Sequence, residues 1–251
     1  MAARHAIPDS SSRKARPRAR PARDSERNRA AILAAATREF ARHGLGGARV
    51  DRIAARAKTN KRMLYYYFGS KDALFLAVLE NTYASIRNAE QGLSLLDVPP
   101  AEGIRRLIRF TWDYYLAHPE FLTLLSSENL HEARHLRRSR NVQAMNSPLI
   151  ETLGTVLARG REMRIFRNGV DPLQLYVSIA ALSYFYLGNN HTLSAVFGRD
   201  LATPQARDER LAHMVDVILG YLSPSASAAR LPRRTPAVRR RLTDDAATAD
   251  N

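Results

Sequence analysis

The chain has 251 residues, no Cys, 45% hydrophobic residues, and 39 Lys+Arg against 24 Asp+Glu, for a formal charge of +15. That length builds one or two domains with a sizeable core, and the lack of Cys excludes disulfides, cysteine-ligated zinc, iron–sulfur clusters and thiol nucleophiles. No run approaches the roughly 18 consecutive apolar residues of a membrane span and the N-terminus has no apolar signal region, so we expect a soluble cytoplasmic protein without a membrane partner.

Residues 1–24 carry net +5, are rich in Arg, Pro, Ser and Ala, and show no apolar periodicity. They read as a disordered basic arm. Residues 223–251, with Arg239-Arg240-Arg241 and three prolines, read as a second disordered tail of net +3. Either tail fits a solvated terminus or a non-specific contact to nucleic acid. Residues 25–71 hold net +8 and residues 72–222 net −1, so a small basic module precedes a near-neutral body. That split suits a polyanion-binding head joined to a body with another task.

Every periodic segment between the tails has helical spacing, which predicts an all-α fold. A first helix is expected from about Ser25 to His43, with Ile32, Leu33, Ala36 and Phe40 on one face and Gly44 as its stop. A second covers about Val50 to Ala57, and Asn60 caps a third from Lys61 to Phe68. Ser70 then caps a long fourth helix. In the body, helices are predicted near 101–117, 119–130, 142–164, 172–190 and 204–222, with Pro99-Pro100, Pro119, Pro148, Pro172 and Pro204 as starts or breaks.

Three short helices with a tight turn between the last two fit a helix-turn-helix with a supporting first helix. On the third, Leu64 and Phe68 lie one turn apart and face inward, so Arg62 and Tyr66 point away. Lys61 and Tyr65 flank them on one side, Met63 and Tyr67 on the other. Arg can read guanine O6 and N7, while Lys and Tyr hydroxyls reach phosphates. The start of the fourth helix adds free backbone N–H groups and Lys71.

These residues resemble a known family. Residues 30–36 (AAILAAA) through Phe40, Gly44, Ile53-Ala54, and above all residues 64–75 (LYYYFGSKDALF) are similar to the N-terminal domain of TetR-family transcriptional regulators. The resemblance implies an all-helical homodimer with two DNA-binding heads on a palindromic double-stranded operator. It further implies a larger C-terminal domain for dimerisation and for a small-molecule effector, no cofactor, and no enzymatic activity. Carried over by position, Lys61, Arg62 and Met63 match the base-reading start of the recognition helix, and Tyr65, Tyr66, Tyr67 and Lys71 match its phosphate contacts. The sequence departs from the pattern at Lys58 and Arg62, where the family often has Gly, and at Tyr67, where it often has His. Ala48-Arg49 replaces the pair that usually caps the second helix, which leaves contacts by Arg49 and Arg52 open. In the body, Ala117-His118-Pro119-Glu120-Phe121, Glu128-Asn129 before His131, and Asn190-His191-Thr192 resemble the subgroup with regulators of pyrimidine and nicotinate catabolism.

For the effector, Trp112, Tyr115, Glu128, Asn129, Tyr184 and Asn189 are the candidate pocket. Aromatic faces would bury the ligand, and amide or carboxylate groups placed among apolar neighbours need partners when buried. Core packing and helix capping are the alternative readings. Val177, Ala180, Ala181 and Tyr184, with Leu211, Val215, Ile218, Leu219 and Leu222, suit a dimeric four-helix interface or burial within one chain. Residues 131–135 (HEARH) spell H-E-x-x-H, which on a helix would place two zinc ligands one turn apart, with Glu151 or Glu162 as third ligand. The arginines that follow it argue for surface rather than a cleft, so we expect no metal site and keep a zinc hydrolase as the rival.

Overall fold

The computed structural model describes residues 20–224, among which are ten α-helices, one short 3-10 turn (Leu136–Arg138) and no strand. The readings for residues 1–19 and for the tail from 225 lie outside the described residues. Helix α1 (Arg20–Gly47) begins inside the stretch read as an arm and breaks at Gly44, whose φ of 63° and ψ of 177° need a residue without Cβ. Helices α2 (Val50–Arg56) and α3 (Lys61–Phe68) follow, then α4 (Lys71–Gln91). Asn60 and Ser70 cap α3 and α4 as expected, accepting from the N–H groups of Met63 (2.9 Å) and Ala73 (3.0 Å).

The head buries Ile32, Ala36, Phe40, Ile53, Leu64, Leu74 and Phe75 in one core, which Leu124 enters from the body. Head and body are therefore welded along α4, whose first turns serve the head while Ile86 packs with Tyr114, Tyr115, Phe121 and Leu122 of the body. The body comprises α5 (Pro100–Ala117), α6 (Pro119–Leu130), α7 (Arg140–Glu162), α8 (Pro172–Gly188), α9 (Asn190–Phe197) and α10 (Pro204–Leu222). Its main core joins Ile104, Leu107, Ile108 and Trp112 of α5 to Leu153 and Val156 of α7, Ile179 of α8, and Met214, Ile218 and Leu222 of α10.

Two body elements differ from the sequence reading. Pro148 does not break its helix: α7 runs through it from Arg140 to Glu162, close to the expected 142–164, and packs against α4, α5 and α8. Conversely, the predicted helix 172–190 ends at Gly188: the N–H and the side chain of Asn189 both donate to Phe185 O, closing α8 so that α9 can start afresh.

Candidate nucleic-acid interface

Leu64, fully buried, fixes the inner face of α3, so the opposite face is turned to solvent. Lys61, Arg62, Tyr65 and Tyr66 are exposed there, Tyr66 at 77%. Met63 is half-buried. Arg62 makes no hydrogen bond or ion pair among the described residues, whereas Lys61 is paired with Asp51 across the turn. A free guanidinium on a rigid helix stem is ready to donate to a base edge. Lys71 reaches back to Gly46 O at 3.4 Å, placing its ammonium beside the turn that precedes α2.

Two of the nine candidates have other work. The Tyr67 hydroxyl meets Ser25 Oγ at 3.1 Å, tying α3 to the start of α1. Arg52 donates to Glu39 Oε1 at 2.6 Å and to Gly47 O at 3.0 Å, bracing the α1–α2 turn. Glu39 is the residue that sequence reasoning missed. It is 1% exposed, and its Oε1 also accepts the Arg49 N–H at 3.1 Å. Arg49 supplies no side-chain cap to α2, so Glu39 satisfies the end that the departure Ala48-Arg49 left open. Burial alone would raise the Glu39 pKa, but the Arg49 N–H, Arg52 and His43 together hold it below the usual carboxylate value. The Arg49 side chain itself is exposed, 3.9 Å from Asp51, and free to turn toward a polyanion. Lys58 adopts φ 53°, the left-handed conformation that explains why a glycine suits this position.

The six candidate effector residues do not gather around one cavity. Trp112 lies in the main core against Tyr186, with ring centroids 5.7 Å apart. Tyr115 stacks on Phe121 at 5.4 Å in a separate cluster. Asn129 is exposed and Asn189 half-buried, each donating to the carbonyl four residues earlier. Tyr184 meets Ser126 Oγ at 2.5 Å. Glu128 is 1% exposed yet fully occupied: it accepts from the N–H groups of His135 (2.8 Å) and Leu136 (2.9 Å), and its other oxygen lies 2.6 Å from His135 Nδ1. A buried carboxylate so engaged organises the turn beneath α4. The sequence pattern carried no sign of this, because two of the three partners are backbone groups and the third, the His135 ring, is brought in only by the turn.

Residues 131–135 are turns rather than helix, with Glu132 at φ 55° and Ala133 at φ 57°. His131 Nδ1 meets Ser127 O at 3.0 Å while His135 turns to Glu128, so the two imidazoles do not form the one-turn pair that the metal reading requires. Among the described residues no group of three or more His, Cys, Asp or Glu could hold a metal ion, and no helix is long and apolar enough to cross a membrane.

The chain is similar to known proteins over most of its length. Residues 32–78 match the family described as bacterial regulatory proteins, tetR family, and residues 100–218 that described as tetracyclin repressor-like, C-terminal domain. The HTH-type transcriptional repressor NicS of Pseudomonas putida is 42% identical over 198 residues, covering 79% of this chain and 93% of that protein. The HTH-type transcriptional repressor SCO4008 of Streptomyces coelicolor is 34% identical, across 74% of this chain and 93% of its own length. The solved structure of SCO4942 from Streptomyces coelicolor superposes with a TM-score of 0.59 at 27% identity, covering 78% of this chain and 98% of that one. The order of the helices, the two family matches and relatives aligned over nearly their whole length lead to one assignment: the chain belongs to the TetR family and is a DNA-binding transcriptional regulator.

Proposed function

We propose that the protein is a homodimeric repressor that holds a palindromic operator and lets go when a small molecule binds its body. The observation that carries the reading is α3, where a buried Leu64 presents an unpaired Arg62 between exposed Tyr65 and Tyr66. In the major groove Arg62 reads bases, with Lys61 and Met63 beside it. Tyr65, Tyr66, Lys71 and Arg49 meet the phosphate backbone. Tyr67 and Arg52 support that surface from behind. The names of NicS and SCO4008 favour repression over activation.

Dimerisation is supported by apolar side chains that the single chain leaves exposed: Leu173, Val177 and Phe185 on α8, and Val217 and Tyr221 on α10. These differ in part from the residues expected, since Ile218 and Leu222 turn into the chain's own core. Two copies of α8 and α10 would form a four-helix interface and set the two α3 helices for successive major grooves, roughly 34–36 Å apart. An effector that binds one head spacing better than another lowers operator affinity by that difference.

Footprinting with purified protein, paired with sedimentation of the complex, tests the proposal. A two-fold symmetric protected site occupied by one dimer is expected, and Val177→Glu with Phe185→Glu should give monomers that lose it. Protection of non-palindromic DNA by a monomer would remove the reading.

A further inference from the structure

From Gly44 to Lys71 the helix-turn-helix holds seven Lys and Arg and a single acid, Asp51. That acid lies in the first turn of α2, and its two oxygens face different cations. Oδ1 is paired with the ammonium of Lys61, the first residue of α3, and Oδ2 lies 3.9 Å from Nη2 of Arg49, the residue before α2. One carboxylate thus spans the starts of both helices and engages two of the side chains expected at DNA. The third cation of this corner, Arg52, is turned away to Glu39 and Gly47 O. A carboxylate on a face that meets phosphates costs affinity, and like charges placed at an interface supply suppression of wrong partners.

We infer that Asp51 is a specificity-determining residue for DNA: it tethers Lys61 and Arg49 and so suppresses binding to sequences other than the operator. The inference rests on the proposal that α3 reads the operator, and it names the residue that sets the contrast between right and wrong DNA. Non-operator binding is a sum of loose ion contacts, which a mobile cation makes by following the nearest phosphate. A Lys61 ammonium tied to Asp51 follows only by giving up its partner and leaving a bare carboxylate beside the phosphate. Operator binding depends on oriented groups, above all Arg62, next to Lys61 on α3. There the tether costs little, because a Lys61 already held in place needs no further ordering. The pair is exposed on both sides, Lys61 at 60% and Asp51 at 48%, so it contributes little to folding and acts on binding.

Asp51→Asn removes the charge and keeps the shape. Filter-binding titrations of the full chain across a salt series, on the footprinted operator and on a scrambled duplex of the same length, read the outcome. Each cation freed for a phosphate steepens the log–log salt slope by about 0.9, or about eightfold in affinity between about 1 M and 0.1 M salt. The variant should therefore bind scrambled duplex about tenfold more tightly at about 0.1 M salt, with a slope steeper by about 1–2. It should gain less on operator, so that its preference for operator falls. Asp51→Glu restores the carboxylate and should restore the natural slope. In the background Arg49→Met, Lys61→Met, adding Asp51→Asn should bring no comparable gain, since no tethered cation is left to free. An unchanged slope on scrambled duplex, an equal gain on both duplexes, or a full gain in the Met background would each overturn the inference. The last two would show a carboxylate that only repels DNA. Arg62→Ala scores the reading of α3 by itself. Operator preference that survives Arg62→Ala removes that reading, while the slope on scrambled duplex still decides whether Asp51 holds the cations. Preference lost in Arg62→Ala, with no change in Asp51→Asn, keeps the reading and removes the tether.

Discussion

Head and body each bury a carboxylate beside an arginine, and the two are treated in opposite ways. Glu39 in the head is 1% exposed and holds a backbone N–H and the Arg52 guanidinium, so its charged form is favoured despite burial. Glu90 in the body is 7% exposed and touches Arg87 without a well-directed hydrogen bond, so burial prevails and its charged form is disfavoured. Both sit on helices with an arginine at contact distance. The difference lies in the direction of the contacts: Glu39 receives an N–H and a guanidinium along its lone pairs, whereas Glu90 is met by the charge of Arg87 without a hydrogen bond.

The largest expected effect comes from emptying a saturated site. Glu128→Ala leaves the N–H groups of His135 and Leu136 and the buried His135 ring without their acceptor, and should cost about 3–5 kcal/mol in urea denaturation. A loss below about 1 kcal/mol would show that the turn beneath α4 does not depend on it.

Next, pH should separate Glu90 from Glu39 by sign. The Glu90 carboxyl is harder to ionise in the folded chain than at its ordinary value of 4.5, so stability is intact below that value and falls as pH rises toward about 7. Relative to Glu90→Gln, the natural chain should lose about 3 kcal/mol across that window. For Glu39 the folded pKa is lowered, so its contribution is present above the ordinary value and lost as pH falls through the folded one. Glu39→Gln should therefore flatten the acid side of the stability profile, and the same slope in both variants would erase the contrast.

A smaller effect concerns the surface that Glu39 supports. Arg62→Ala should weaken operator binding by about 1–3 kcal/mol and relax base preference, whereas Lys71→Ala should weaken all sequences alike and lower the salt slope. Gel-shift titrations on operator and mutated duplexes at two salt concentrations distinguish these outcomes. The smallest effect is a gain: Lys58→Gly relieves a left-handed backbone and should raise stability by up to about 1 kcal/mol while removing a charge near the DNA face. Thermal unfolding reads the first change and the salt slope the second.

Sequence alone was enough for the all-α class, for α3 with its bounds, and for the caps at Asn60 and Ser70, because these follow from 3.6-residue periodicity and from contacts within one turn. It also placed Arg62, Tyr65 and Tyr66 outward, since Leu64 and Phe68 define the inner face of a short helix. What lay beyond its reach depends on which distant groups meet. Glu39 as the substitute cap of α2, Tyr67 engaged by Ser25, and Glu128 consumed by a turn are contacts between residues 7 to 42 positions apart. The same holds for the residues expected to hold an effector. Trp112, Tyr115, Glu128, Asn129, Tyr184 and Asn189 have the right chemistry, but core packing and local hydrogen bonds use them up. Arg87 and Glu90, three residues apart on α4, carry no mark in the local sequence of the burial that Tyr176 of α8 helps to impose. A polar side chain's free valence is a property of its finished surroundings, so only the tertiary structure could decide which of these groups is left to bind something else.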